Sequence, residues 1–139
     1  SAVQAIAKAL TDSGYDLACY TYGNNAYGNY SLTQIQAEMN KWNDEVVPIL
    51  GAIDTMVFAQ NSDINSGMLY SGEKFDYLKS IGFNFYVGYC TDGDPFTFVS
   101  ENYIRQGRLH LTEENLQSNP SSFTSLFSIE GLLDTSRNN

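Results

Sequence analysis

IQAEMNKWNDEVVPILGAIDTMVFA, residues 35–59, runs a helical pattern of apolar residues into Gly51 and then directly into an apolar strand. The same order recurs in AIAKALTDSGYDLACYTY, residues 5–22, around Gly14, and in KFDYLKSIGFNFYVGYC, residues 74–90, around Gly82. A glycine just past a helix takes the left-handed conformation that closes the last turn, so each segment reads as helix, cap and buried strand. Strands are expected near 15–22, 54–59 and 83–90. Alternation of helix and strand predicts a mainly parallel sheet covered by helices. In such sheets ligands gather on the loops leaving the C-terminal strand ends, here the polar stretches after Tyr20, Ala59 and Cys90.

The helices can be read in more detail. Residues 2–12 place Val3, Ile6, Ala7 and Leu10 on one stripe, the pattern of a helix lying on a sheet. Ser31 with Gln34 forms a capping box, and Leu32, Ile35, Met39, Trp42 and Val46 follow at helical spacing as a core face. Ser71 opens the next helix, with Phe75, Leu78 and Ile81 inward. VSENYIRQGRLHL, residues 99–111, alternates enough for one or two short strands. A last helix is expected near Pro120, with Phe123, Leu126 and Phe127 inside and a polar tail after Asp134.

A chain of 139 residues suits one domain with an ordinary core. Seven Lys+Arg against sixteen Asp+Glu give a net charge of -9, the wrong sign for tracking a nucleic-acid backbone. Tyr and Asn are abundant, which favours neutral polar ligands such as sugars. Cys19 and Cys90 fall inside expected strands and read as two buried free thiols. No apolar run reaches membrane-spanning length and no basic leader is visible, so neither membrane insertion nor a signal peptide is expected; the start inside a helix suggests a piece of a longer protein.

Candidate binding residues lie on the strand-end loops. Tyr15, Tyr20, Tyr22, Tyr27 and Tyr30 surround the first loop, Gly23 to Tyr30, where their rings either stack on sugar faces or roof the sheet. Asp63, in the second loop, either binds a sugar hydroxyl or caps a turn. Asp92 and Asp94 are either a strand-end carboxylate pair or turn residues, and Arg105 and Arg108 read as their ion-pair partners in preference to a ligand clamp. His110, the only histidine, reads as structural. There is no Cys-x-x-Cys, no Gly-x-Ser-x-Gly and no phosphate-binding glycine loop.

The first strand ends in Cys19-Tyr20-Thr21-Tyr22-Gly23-Asn24-Asn25. A helix beginning Ser31-Leu32-Thr33 follows, then Tyr70-Ser71-Gly72-Glu73-Lys74-Phe75-Asp76-Tyr77-Leu78-Lys79-Ser80, and later Asn102-Tyr103-Ile104-Arg105-Gln106-Gly107-Arg108. In this order and spacing, over roughly residues 8–135, the chain resembles the polysaccharide deacetylases of the NodB-homology type, carbohydrate esterase family four. It is similar in particular to the bacterial branch whose strand ends in His-Thr-Trp/Tyr-Gly-His. The resemblance implies a partial (β/α) barrel that continues upstream of Ser1, a polysaccharide or cell-wall glycan as partner, and an extracellular or cell-surface location. An uncovered sheet edge would make a homo-oligomer possible.

In active relatives, the resemblance implies, an aspartate and two histidines hold zinc, a second aspartate activates the bound water, and a late histidine acts as acid during deacetylation. Here Tyr20 and Asn24 stand at the histidine positions, and the aspartates belong to a strand motif expected before residue 1. No catalytic residue and no metal ligand are therefore assigned, and no cofactor is expected in this chain. Phe58-Ala59-Gln60-Asn61 replaces the family's Tyr-Pro-Tyr/Phe-Gly groove loop. Tyr20, Tyr22, Asn24, Asn25, Asp63 and Asp92 are the expected glycan-binding residues. The expected function is a catalytically degenerate deacetylase-like domain. The alternatives are an active metal-dependent hydrolase removing acetyl groups from a polysaccharide and a generic α/β interaction domain.

Overall fold

The computed structural model describes residues 1–65, 69–89, 97–124 and 128. Among these residues the sheet has four strands in the order β1-β2-β4-β3: β1 Thr55–Val57, β2 Phe85–Tyr89, β3 Thr97–Val99 and β4 Ile104–Arg108. β1 and β4 both run parallel to β2, while β3 returns antiparallel along β4. The fold is thus α/β, and among the described residues the sheet is open and mostly parallel. Gly14, Gly51 and Gly82 all have positive φ, at 89°, 84° and 108°, so all three glycine caps hold, with a strand following at Gly51 and Gly82.

The first expected strand is nearly absent. Only Cys19 bridges to Met56, with its N–H donating to the Thr55 carbonyl and its carbonyl accepting from Val57 N–H. Pairing stops there because Thr21, a β-branched residue, takes φ 47° and turns the chain away from the sheet.

α1 spans Ala2–Asp12, as its periodicity predicts, but buries none of its residues. Ile6 is 63% exposed, and α1 lies beside α3 rather than covering strands. The expectation of a packing helix on the sheet is therefore corrected. α2, Leu32–Lys41, carries the expected capping box, with Ser31 and Gln34 each bonding the other's backbone N–H. Pro48 prevents this helix from running unbroken to Gly51, because it has no N–H to donate and its ring crowds the preceding turn. A π turn at Trp42–Val46 absorbs the mismatch before α3, Val47–Leu50, resumes. α4 spans Glu73–Ser80 and starts from Gly72, not from Ser71. α5, Glu113–Ser118, is capped by the Thr112 hydroxyl, and Pro120–Ser122, the start of the expected last helix, forms a 3-10 turn. Phe123 is buried as expected, whereas Leu126 and Phe127 lie outside the described residues. Among the described residues no helix is long and apolar enough to cross a membrane.

The core sits on the sheet face carrying Cys19, Met56, Phe58 and Tyr86, against Ile35, Met39 and Trp42 of the second helical segment and Leu78 of α4. Much of it is aromatic: Phe58 stacks on Tyr86, Tyr70 meets Tyr86 edge-on at 5.3 Å, and Phe75 meets Tyr103 at 4.9 Å. The buried phenols find partners where the fold offers them; the Tyr86 hydroxyl donates to the Phe83 carbonyl at 2.8 Å. The opposite face, with Val57, Phe85 and Val87, is half-buried, and its Ile104 and Val99 are exposed.

Burial raises the pKa of Tyr27, Tyr70 and Tyr86 above the ordinary tyrosine value, reinforced by Glu38, Asp63 and Tyr103 respectively. An unfolded tyrosine loses its proton near pH 10, so above that pH the unfolded chain binds fewer protons than the native one. The stability contributed by these phenols is complete below about pH 10 and declines as the pH rises further. In an alkaline titration followed at 295 nm, these three tyrosines are expected to ionise only together with loss of tertiary structure. Smooth ionisation of all ten tyrosines in a still-folded protein would contradict this. Burial also pushes the Cys19 thiol up to about 12, only partly offset by a hydrogen bond from the Thr21 backbone. Residue-resolved mass spectrometry after iodoacetamide treatment at pH 8 should find Cys19 unmodified in the native protein and modified once denatured.

Candidate functional site

The parallel strands point their C-terminal ends toward one rim. Tyr20 follows the bridge at Cys19, Phe58 to Asn61 follow β1, and Arg108 ends β4 ahead of Leu109 and His110. Together Tyr20, Gln60, Asn61, Arg108, Leu109 and His110 line a cleft of about 390 Å³. That is large enough for a small ligand and lies where open α/β sheets place one.

Backbone strain concentrates on the same rim. The described non-glycine residues with positive φ are Thr21, Asn24, Gln60 and Asn61, all on the loops after Cys19 and after β1. Each left-handed residue costs free energy that surrounding contacts must offset, and such residues cluster where a loop is held in a specific shape. Here the two loops hold each other, since the Gln60 side-chain amide donates to the Asn24 carbonyl at 2.7 Å. Asn25 N–H donates to the Thr21 hydroxyl at 3.0 Å, and the Asn25 side chain donates to Glu38 of α2.

Beneath the rim lies a buried ion pair. Arg105 of β4 donates through Nη2 to Asp63 Oδ2 at 2.7 Å, with 4% of its side chain and 10% of that of Asp63 exposed. The Tyr70 hydroxyl donates to the same carboxylate at 2.7 Å, and the guanidinium lies 4.4 Å from the centre of the Tyr70 ring. Gly88 makes room for the pair, because a β-carbon there would overlap Asp63 Oδ2. On the other side of the loop a β-carbon on Gly28 would overlap the Asp63 carbonyl. The Gln60–Ile64 loop is thus clamped between two glycine backbones.

The expected binding residues therefore separate. Tyr20 lines the cleft with 47% of its surface exposed, and the Arg108 guanidinium sits over its ring at 5.5 Å. Asn24 contributes its backbone carbonyl to the rim brace. Tyr22 turns away, packing on the core and donating its hydroxyl to Glu45, and Asn25 is engaged with Glu38. Asp63 faces Arg105 and Tyr70 instead of the cleft, and its Oδ1 also accepts from Asn65 N–H at 3.4 Å, the contact of the Asx-turn reading. Asp92 and Asp94 lie outside the described residues, as does Cys90. Of the tyrosine cluster, Tyr27 roofs the sheet with its ring stacked on half-buried Tyr30, while Tyr15 and Tyr20 are exposed. His110, expected in a strand, lies just past β4 and is exposed. Gln60 and Asn61 lie in the loop that the resemblance sets along the groove, though neither was expected to bind, and nothing in the sequence marked Leu109.

The positions that the deacetylase resemblance assigns to zinc ligands do not fit a divalent ion. The cation nearest the Tyr20 ring is Arg108, which repels a second cation at short range. Asn24 is neutral, and among the described residues no three His, Cys, Asp or Glu side chains gather into a metal-binding group. No family model, curated protein or solved structure matches the chain.

Asp63→Asn would leave the buried guanidinium without its carboxylate. We expect a loss of about 3–5 kcal/mol in urea unfolding, the usual cost of breaking a buried pair from one side. Gly88→Ala should destabilise by about 1–3 kcal/mol through overlap with Asp63. Losses within 0.5 kcal/mol for both variants would show that the pair does not anchor the loop.

Proposed function

We propose that this chain is a deacetylase-like domain that lacks hydrolytic power and presents its strand-end cleft to a polysaccharide, as a binding or architectural part of an extracellular or cell-surface protein. The observation that supports this reading is the chemistry of the cleft wall. An exposed phenol ring, two carboxamides held in left-handed backbone and an arginine share one concavity, with no carboxylate among the described lining residues. A ring face stacks on the C–H surface of a sugar, and amides and guanidinium bond its hydroxyls. Hydrolysis by metal-activated water requires anionic or imidazole ligands, and phenol and amide at Tyr20 and Asn24 are poor substitutes.

The test combines calorimetric binding to an N-acetylated oligosaccharide with an acetate-release assay in added zinc. The expected outcome is binding without turnover, and about threefold to tenfold weaker binding by Tyr20→Ala. Acetate release with multiple turnovers would establish the hydrolase instead. Absence of binding to every glycan tried would favour the interaction-domain reading.

A further inference from the structure

β4 carries two arginines three residues apart, and their surroundings differ in one respect. Arg105 is buried and neutralised by Asp63. Arg108 is half-buried and forms no ion pair among the described residues. Its Nη2 donates to the Phe58 carbonyl at 2.8 Å and, at 3.4 Å, to the Asn61 side chain. Nε and Nη1 donate to nothing among the described residues, although the group is fixed by those bonds and by the Tyr20 ring. A guanidinium that is partly desolvated, immobilised and, among the described residues, without a counter-charge is the arrangement that planar oxyanions occupy in two-point contact.

We propose that the cleft selects a sugar bearing an anionic group, a carboxylate or a phosphate, whose oxygens bond the unused donors of Arg108 while the sugar ring rests on Tyr20. This rests on the glycan reading of the cleft and narrows it. The chain's charge of -9 does not oppose it at contact range, because the described lining holds no acid and long-range repulsion is screened beyond about 8 Å at physiological salt.

The experiment measures binding of the whole chain by calorimetry to four probes: trigalacturonate, its methyl ester, N-acetylglucosamine 1-phosphate and N-acetylglucosamine. At least one charged probe should bind about tenfold tighter than its neutral counterpart. Arg108→Gln should abolish that preference, bringing each charged probe to within about twofold of its neutral counterpart in the same variant. The better of the two charged probes identifies the carboxylate or the phosphate as the group read. If Arg108→Gln does not fold, nitrogen-edited NMR of the unmodified chain replaces it, and the Arg108 Nε–H resonance should shift with the charged probe alone. Equal binding of charged and neutral sugars overturns the inference but leaves glycan binding standing, as does a preference that survives Arg108→Gln or leaves the Nε–H resonance unmoved. No binding by any probe overturns both.

Discussion

The contact between Asp63 and Arg105 is the constraint on which the strand-end surface depends. Arg105 belongs to β4, in the middle of the sheet, and Asp63 to the loop after β1, at its side. Their bond ties the loop across β2, where Gly88 has no side chain to obstruct it. Tyr70 completes the arrangement by donating to the carboxylate with its hydroxyl and offering its ring to the cation. Two buried charges carry a desolvation cost that mutual attraction alone does not always offset. The added hydrogen bonds and the ring's negative face make the position tenable. Gln60 and Asn61 can then hold left-handed backbone at the rim, because the following residues are fixed from below.

The sheet's direction and its helix boundaries were legible because glycine caps and apolar periodicity are local signals. Ser31 and Gln34 announced their capping box from sequence for the same reason, whereas Pro48 gave no indication that a π turn would absorb it. β4 shows where the local reading fails. Alternation by hydropathy would turn Ile104 inward and Arg105 outward, yet Ile104 is exposed and Arg105 is 3% exposed. What reverses the pattern is a carboxylate 42 positions away in sequence, a partner no local window can include. Asp63 was singled out as polar and loop-borne, both correct, but its direction depended on that same distant arginine. Tyr20 was legible as a cleft residue because it lies near the C-terminal end of the first expected strand, of which the Cys19 bridge forms, and the loop after β1 was legible as a place, though not in the residues that face outward.

Arg105 and Arg108 lie on opposite faces of one strand, since odd spacing alternates the side. The strand's pleat therefore assigns one arginine to structure and the other to the surface. Arg108 also braces the loop, since its bond to the Phe58 carbonyl satisfies a backbone acceptor near the end of β1. The cleft wall and the loop support are in this sense one piece of covalent structure.

Trp42 is the single tryptophan of the chain, and it lies on the π turn in a core that also holds the phenols of Tyr27, Tyr70, Tyr86 and Tyr103. Tyrosine emission overlaps indole absorption, so light taken up by the surrounding rings is passed to one indole held in a nearly dry site. The protein consequently carries a native optical gauge of its own compactness, whose colour and yield respond to separation of the second helical segment from the aromatic sheet face.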